Sequence, residues 1–333
     1  MKYSGFVGID VSKDTLDVSL CLSLLDKLPM VHQVFANAPK GFKLIIKWLK
    51  ENRAKPNELL FCLEHTGVYS LKVSYWLEEK EYSYVLENPL QVRRSLGLVR
   101  GKNDKADSRH LARYAARHHE ELKPSKMPSK LLMALKTLLS HRDMLSKQRA
   151  ELLQNEKRLE ILSKTTDVKL IRKQNHQHLQ LLETQLAGME EKLSELSKSD
   201  QAIAENVELV RSIPGIGLII ALNMIVQTNN FMGFENGRQF ACFCGSAPFE
   251  YSSGTSVRGK TKVHSIGNRQ MKGLLSNGAH SAIRNDKQIK KYYERKIAEG
   301  KPKLLVLNAV RCKLINRAFS VIKRKTPYVS LDF

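Results

Sequence analysis

Between Pro128 and Pro214 the sequence contains no proline, and over that stretch it turns rich in Leu, Lys, Glu and Gln. Proline breaks a helix interior, so its absence leaves room for helices much longer than the usual three turns. Leu138, Leu145, Leu152 and Leu159 recur every seven residues, the spacing that keeps one apolar stripe turned toward a partner helix. After the interruption SKTTDV, a second series, Leu182, Leu186, Met189, Leu193 and Leu196, alternates four- and three-residue steps. Two long helices paired antiparallel, within one chain or between chains, satisfy both stripes. Arg142 and Arg149 fall on the companion positions of the first stripe; they read as solvated charge, as a device that fixes register, or as a contact to RNA or DNA. A coiled-coil assembly domain over 126–204 thus separates a first domain, 1–125, from a last one, 205–333.

In the first domain the apolar period switches repeatedly. SGFVGID and TLDVSLCLSL, joined by the turn VSKD, read as a strand hairpin; GFKLIIKWLKEN has helical spacing; ELLFCLE is a buried strand; VYSLKVSYWLEEK is an amphipathic helix; YSYVLENP is a strand stopped by Pro89. Asn103 is placed to cap a helix running through DKADSRHLARYAARHHEEL to Pro124. Such alternation makes an α/β domain. Asp10 ends the first strand, Glu64 ends a later one, and Asp104 and Asp107 share a face at the start of the helix. Each alone reads as a turn former or a cap. As an ordered set they match the way an RNase H-like sheet assembles a metal site. There, carboxylates hold two cations about 4 Å apart against the attacking and leaving oxygens of a phosphodiester, and Mg2+ prefers such oxygen ligands. Asp14 fits the turn and Asp17 alternates outward along the second strand, so both are set aside; His65 and His110 adjoin the acids and read as surface or packing residues.

Charge points to the partner. The 333 residues hold 55 Lys+Arg against 33 Asp+Glu, a formal net charge of +22, and polyanions bind such a surface by releasing condensed counterions. Residues 258–325 alone hold 19 Lys/Arg and 3 Asp/Glu, so the last domain is the expected nucleic-acid surface, with a merely solubilising basic face as the bland alternative. In LVRSIPGIGLIIALNMI, a Pro-Gly-Ile-Gly turn lies between two helical stretches, a helix-hairpin-helix-like arrangement. Its glycines Gly215 and Gly217 leave backbone N–H groups free to hold a phosphate. Five scattered cysteines without a CxxC pair indicate neither a disulfide framework nor a zinc site. No run approaches the roughly 18 apolar residues of a membrane span, and the first residues lack a signal-peptide pattern; the expected location is cytoplasmic.

The block GSAPFEYSSGTSVRGKTKVHSIGNRQMKGLL places a Ser-Ser-Gly turn before a stretch dense in Arg and Lys. A serine in a Gly-flanked turn is accessible enough to attack phosphorus if it is activated and if cations stabilise the added charge. A phosphate-binding loop without a nucleophile has the same composition.

GIDVSKDTLDV, LEHTGVYS, KNDKADSRHLARYA, SIPGIG and GSAPFEYSSGTSVRGKTKVHSIGNRQMK, taken together and in order, resemble the DEDD-type insertion-sequence transposases, a family that also contains the pilin-inversion-type DNA invertases. The resemblance covers nearly the whole chain. It implies a RuvC-like domain, a coiled coil for assembly, and a mainly helical transposase domain carrying a serine. The family's four acids fall on Asp10, Glu64, Asp104 and Asp107 as ligands of Mg2+, two ions per site, and the serine that precedes a glycine falls on Ser253, with Ser252 and Ser256 close by. Strand exchange through a transient serine–DNA link, in a cell of prokaryotic type and near the nucleoid, follows from the family. So do donor and target double-stranded DNA, a structured noncoding bridge RNA that guides target choice, and a homo-oligomer, dimer or tetramer. Arg258, Lys260, Lys262 and Arg269 are the best candidates for phosphate contacts near the serine. One departure is Gly245-Ser246-Ala247-Pro248, where the family often has Leu-Ala-Pro or Leu-Val-Pro.

Two rival readings differ in kind. A RuvC-like structure-selective endonuclease, such as a junction resolvase, would hydrolyse DNA at the acids without a serine intermediate. A non-catalytic architectural protein would bind DNA through charge alone and ignore Mg2+.

Overall fold

The computed structural model describes residues 3–22, 30–64, 67–96, 103–253, 257–263 and 267–330, with the backbone alone at Leu96, 248–253 and 257–263. The chain forms two compact units, Met1–Met127 and Pro128–Phe333. Among the described residues no helix is long and apolar enough to cross a membrane.

In the first unit, β1 (Gly5–Val11) and β2 (Thr15–Cys21) form the expected hairpin, and β3 (Val31–Ala36) pairs antiparallel outside β2. Helix α1 (Pro39–Glu51) leads to β4 (Leu59–Glu64), and α2 (Val68–Glu79) to β5 (Ser83–Glu87); both strands run parallel to β1. Helices α3 (Pro89–Leu96) and α4 (Asp104–His118) follow. The strand order β3-β2-β1-β4-β5, with an antiparallel meander on one side and parallel strands on the other, is RNase H-like. β1 and β4 are buried along almost their whole length because helices cover both faces, which is why their sequences read as continuous apolar runs. On one face Val7, Ile9, Phe61 and Leu63 pack with Phe42 and Ile45 of α1 and Leu77 of α2. On the other, Phe6, Leu60, Cys62 and Val85 pack with Leu111, Ala112 and Ala115 of α4.

Two elements and one boundary differ from the sequence reading. β3 is a mostly exposed edge strand, so it carries no apolar period to announce it. Pro89 stops β5 as expected but also opens α3, a first-turn position where its missing N–H costs nothing. Helix α4 ends at His118, short of Pro124. There His119 Nδ1 lies 2.9 Å from the Ala116 carbonyl oxygen, and the two acids that follow, Glu120 and Glu121, are unfavourable at the negative end of a helix.

The second unit begins with the helical hairpin α5 (Lys130–Leu162) and α6 (Lys169–Ser197), antiparallel within the one chain. Leu145 and Leu159 are buried on its seam. Arg142 and Arg149 pair across the hairpin: Arg142 donates from Nε (2.9 Å) and Nη2 (2.7 Å) to Glu190 Oε1, and Arg149 from Nη2 to Glu183 Oε1 at 3.0 Å. They fix the register of the pair. At the root, Leu132, Leu135 and Leu139 join Leu193, Ile203, Val207 and Ile225 in one core, which includes α7 (Gln201–Arg211) and α8 (Leu218–Gln227).

Beyond α9 (Gly237–Phe243) comes a two-stranded antiparallel ribbon, β6 (Pro248–Ser253) and β7 (Val257–Val263), then α10 (Arg269–Asn285), α11 (Lys287–Ala298) and α12 (Lys303–Arg324). Val310, Leu314, Ala318 and Val321 of α12 anchor the larger core with Met224, Phe240 and Leu275. At the departure from the family pattern, Gly245 has φ +62 and a side chain on Gly267 would meet its Cα at 2.5 Å. The segments flanking the ribbon therefore cross backbone to backbone. Of the free cysteines, Cys21, Cys62 and Cys244 are buried and Cys242 and Cys312 half-buried.

Candidate functional site

Side chains at directly opposed positions of neighbouring strands share a face. Asp10 is paired with Asp17 across β1 and β2, Ile9 with Leu63 across β1 and β4, and Glu64 with Glu87 across β4 and β5. Asp17, Asp10, Glu64 and Glu87 therefore form a row across four strands, on the face covered by α4. That helix brings Asp104 and Asp107 in its first turn, where the Asn103 side chain caps it by accepting from the Ala106 N–H at 2.7 Å. Its seat is set by Gly8: a Cβ there would stand 2.0 Å from the Ser108 carbonyl oxygen and 2.4 Å from the Ala112 nitrogen. A buried hydrogen bond, 2.8 Å between the Ser19 and Ser108 hydroxyl oxygens, ties the same helix to β2.

The four acids singled out in the sequence thus surround one strand end. Asp10 records their proximity: burial first, then the charges of Asp107, Asp104 and Glu64, push its carboxyl up to about 6. Among the described residues no three acidic, His or Cys side chains close into a metal-ligand cluster. Like charges in a half-buried site spread apart unless a cation draws them in. The donor set, hard carboxylate oxygens gathered about one strand end, is nonetheless of the type a divalent cation takes.

Asp17 corrects the sequence reading. It does not point outward; opposed to Asp10, it faces α4, buried, with His32 Nε2 2.8 Å from its Oδ1. Counting alternation from the turn misplaced it, because the hairpin register and not the turn decides which residues share a face. Glu87 was not anticipated. Burial pushes its carboxyl up, against the opposing effects of the Tyr114 hydroxyl, 3.4 Å away, and of His118. The signal was present in the parallel endings FCLE and YVLE, once their register is known. His110 Nδ1 lies 3.8 Å from Asp107 Oδ1, and Asp14 is exposed in the hairpin turn.

In the second unit, Ser252 and Ser253 end β6, opposite Arg258 and Val257; both serines, expected in a turn, are strand residues. Their side chains, those of Arg258, Lys260 and Lys262, and the residues His65 and Ser256 lie outside the described residues. Arg269 is exposed at the first turn of α10, which Asn268 caps. Gly215, at φ +94, would carry a Cβ 2.5 Å from the Gly278 carbonyl oxygen, so its glycine serves close packing on α10. Gly217 faces open space at the start of α8.

Sheet order and acidic face together define an RNase H-like carboxylate unit, joined here to a basic helical one. Two family models match these parts in turn: a DEDD-type IS110 transposase model over residues 7–161, and that of the "Transposase IS116/IS110/IS902 family" over residues 207–294. The chain belongs to this family of insertion-sequence transposases. It is similar along its length to the pilin gene-inverting protein of Moraxella bovis, 26% identical over 335 residues and 97% of each chain. It also resembles the transposase for insertion sequence element IS1111A of Coxiella burnetii, 31% identical over 114 residues, 33% of this chain and 30% of that one. A solved T. thermophilus RuvC in complex with a Holliday junction substrate overlaps 37% of this chain and all of its own at 14% identity and a TM-score of 0.28. Strand order and direction alone mark the sheet as RNase H-like.

Proposed function

We propose that the chain cuts and rejoins DNA at the ends of a mobile or invertible segment, with divalent-metal chemistry at Asp10, Glu64, Asp104 and Asp107 and strand transfer through Ser253. The observation that carries this reading is the crowding of acids about Asp10 within a chain of net charge +22. Acids repel phosphate, so a basic protein that gathers them at one strand end needs a cation there. Mg2+ suits the donors, two ions to a site; when bound, such ions activate a hydroxyl and offset charge gathering on the phosphate oxygens. Asp10 and Glu64 are held by the rigid sheet, while Asp104 and Asp107 sit at the positive end of the α4 dipole.

The Ser253 hydroxyl oxygen forms a bond to a DNA phosphorus as one P–O bond of the strand breaks, and the departing strand leaves as a free hydroxyl. Attack by the hydroxyl of a second strand reverses the step, restoring a phosphodiester and releasing the serine. Arg258, Lys260, Lys262 and Arg269 neutralise phosphates of the donor and target duplexes, and the Gly215–Gly217 turn supports them. A structured guide RNA selects the target by base pairing, which a large positive charge accommodates. The division 1–125, 126–204 and 205–333 separates metal chemistry, assembly and strand transfer. Assembly is as a dimer or tetramer, and exposed Leu153, Ile161, Leu170 and Leu181 on the hairpin offer apolar surface for it.

The deciding experiment incubates the full chain with Mg2+ and labelled DNA carrying the segment's ends. A covalent protein–DNA adduct is expected that is lost in Ser253→Ala and kept in Ser252→Ala. Nicked product without an adduct would replace strand transfer with hydrolysis; binding without any Mg2+-dependent cutting would remove the enzymatic reading.

A further inference from the structure

The C-terminal helices enclose a cleft that the reading above leaves without a role. It lies between α11 and α12, has a volume of about 440 Å³ and has no Asp or Glu in its lining; small-ligand sites span roughly 300–1,000 Å³. Its walls pair cations with aromatic rings. Lys313 Nζ stands 4.4 Å from the centre of the Tyr292 ring, and the Arg317 guanidinium carbon 4.4 Å from that of Tyr328.

The cleft is held in shape before anything binds. Arg317 donates from Nη1 to Asp286 Oδ2 at 2.6 Å and from Nη2 to Gln288 Oε1 at 3.2 Å. Asp286 is buried and also caps α11 by accepting from the Ile289 N–H. Tyr328 is brought back over α12 because Lys325 adopts a left-handed conformation, φ +55. Its own N–H then donates to Ser212 Oγ at 2.8 Å, and Arg324 Nη2 donates to the Pro327 carbonyl oxygen at 3.1 Å. Asp286 offsets one of three cations, Lys313, Arg317 and Arg324, and the cleft stays positive.

We propose that this cleft binds an unpaired nucleotide of a nucleic-acid strand. Its base stacks on the tyrosine–cation pairs, and its phosphate is met by Lys313 and Arg324. Rings and guanidinium planes stack any base, because every base has a π-face. A cleft of this size has room for one such unit, whereas contacts to duplex backbone need no aromatic floor. The proposal rests on the reading that the chain handles nucleic acid. An RNA loop and a displaced DNA strand present the same chemistry.

Fluorescence anisotropy of the full chain with short single-stranded RNA, single-stranded DNA and blunt duplex separates the possibilities. Tyr292→Leu is expected to weaken single-strand binding about tenfold and to leave duplex binding within about twofold. Lys313→Met should reduce the salt slope on single strands by about 0.7. Ser320→Trp, on the exposed rim, should block the cleft without touching the core, which keeps the test valid if Tyr292→Leu melts early. Loss confined to RNA or to DNA supports the cleft and names the source of the strand; loss on both supports the shared chemistry. Equal losses on duplex, or none on any probe, overturn the cleft while the wider nucleic-acid reading stands. A wild-type chain that binds no probe overturns both.

Discussion

At Asp10 the site works against the fold. Its carboxyl is raised from an ordinary 3.8 to about 6, first by burial and then by Asp107, Asp104 and Glu64. A carboxyl with a folded pKa above its unfolded one binds more protons in the native state between the two values, so stability falls as pH rises through that window and stays lowered above it. Asp10→Asn removes the penalty. In EDTA the variant is expected to be more stable than wild type at about pH 8, by on the order of 1 kcal/mol once partial solvent exposure is allowed for. The difference should close as the pH approaches about 4; thermal melts at the two pH values check both signs. Adding Mg2+ should raise the wild-type Tm and leave Asp10→Asn nearly unmoved. Gly8 is the other decisive residue. With the Ser108 carbonyl oxygen 2.0 Å from where its Cβ would stand, Gly8→Ala must displace α4 from the sheet. A cost of about 1–3 kcal/mol, as for overpacking generally, is expected, with faster amide exchange along α4 and loss of cutting. Retention of both exchange protection and cutting would show that α4 need not sit there.

Among the elements, the hairpin of α5 and α6 gives the cleanest test of register. The Arg142–Glu190 and Arg149–Glu183 pairs are partly exposed, so each contributes only about 0–1 kcal/mol. Arg142→Glu should lower the Tm slightly, and adding Glu190→Arg should restore most of the loss; a double-mutant cycle in denaturant measures the coupling. The hairpin was legible in the sequence because its period is local, and so were β1, β2, β4, β5 and the Asn103 cap. The acidic face was legible only in part. Asp10, Glu64, Asp104 and Asp107 announce themselves through order along the chain, but Asp17 and Glu87 become neighbours of the set only through strand register, which a single sequence does not state. Likewise β3 has too much exposed surface to show a pattern, and the cleft at Tyr292 and Tyr328 depends on a chain reversal at Lys325 that no residue type there announces.

For the molecule as a whole, charge sets the conditions of binding. With a net charge of +22 concentrated toward the C-terminal helices, duplex affinity should fall steeply with salt, its logarithm dropping by about 0.9 per phosphate contact for each unit of log salt. Combining Asp10→Ala with Asp104→Ala should leave this slope unchanged in EDTA while abolishing Mg2+-dependent cutting. A changed slope would mean that the acids act on DNA by repulsion alone.

The helical hairpin also behaves as a ruler. A 33-residue helix such as α5 is about 50 Å long, rooted by Leu132 and Leu135 in a core and pinned along its length by arginine–glutamate pairs. Seven residues added to both helices would lengthen the arm by about 10 Å and return every seam residue to its side, whereas additions that are not multiples of seven would turn the stripe away. Reach and register can therefore change independently, so natural or engineered relatives can differ in the span of this arm without rebuilding what lies at its base.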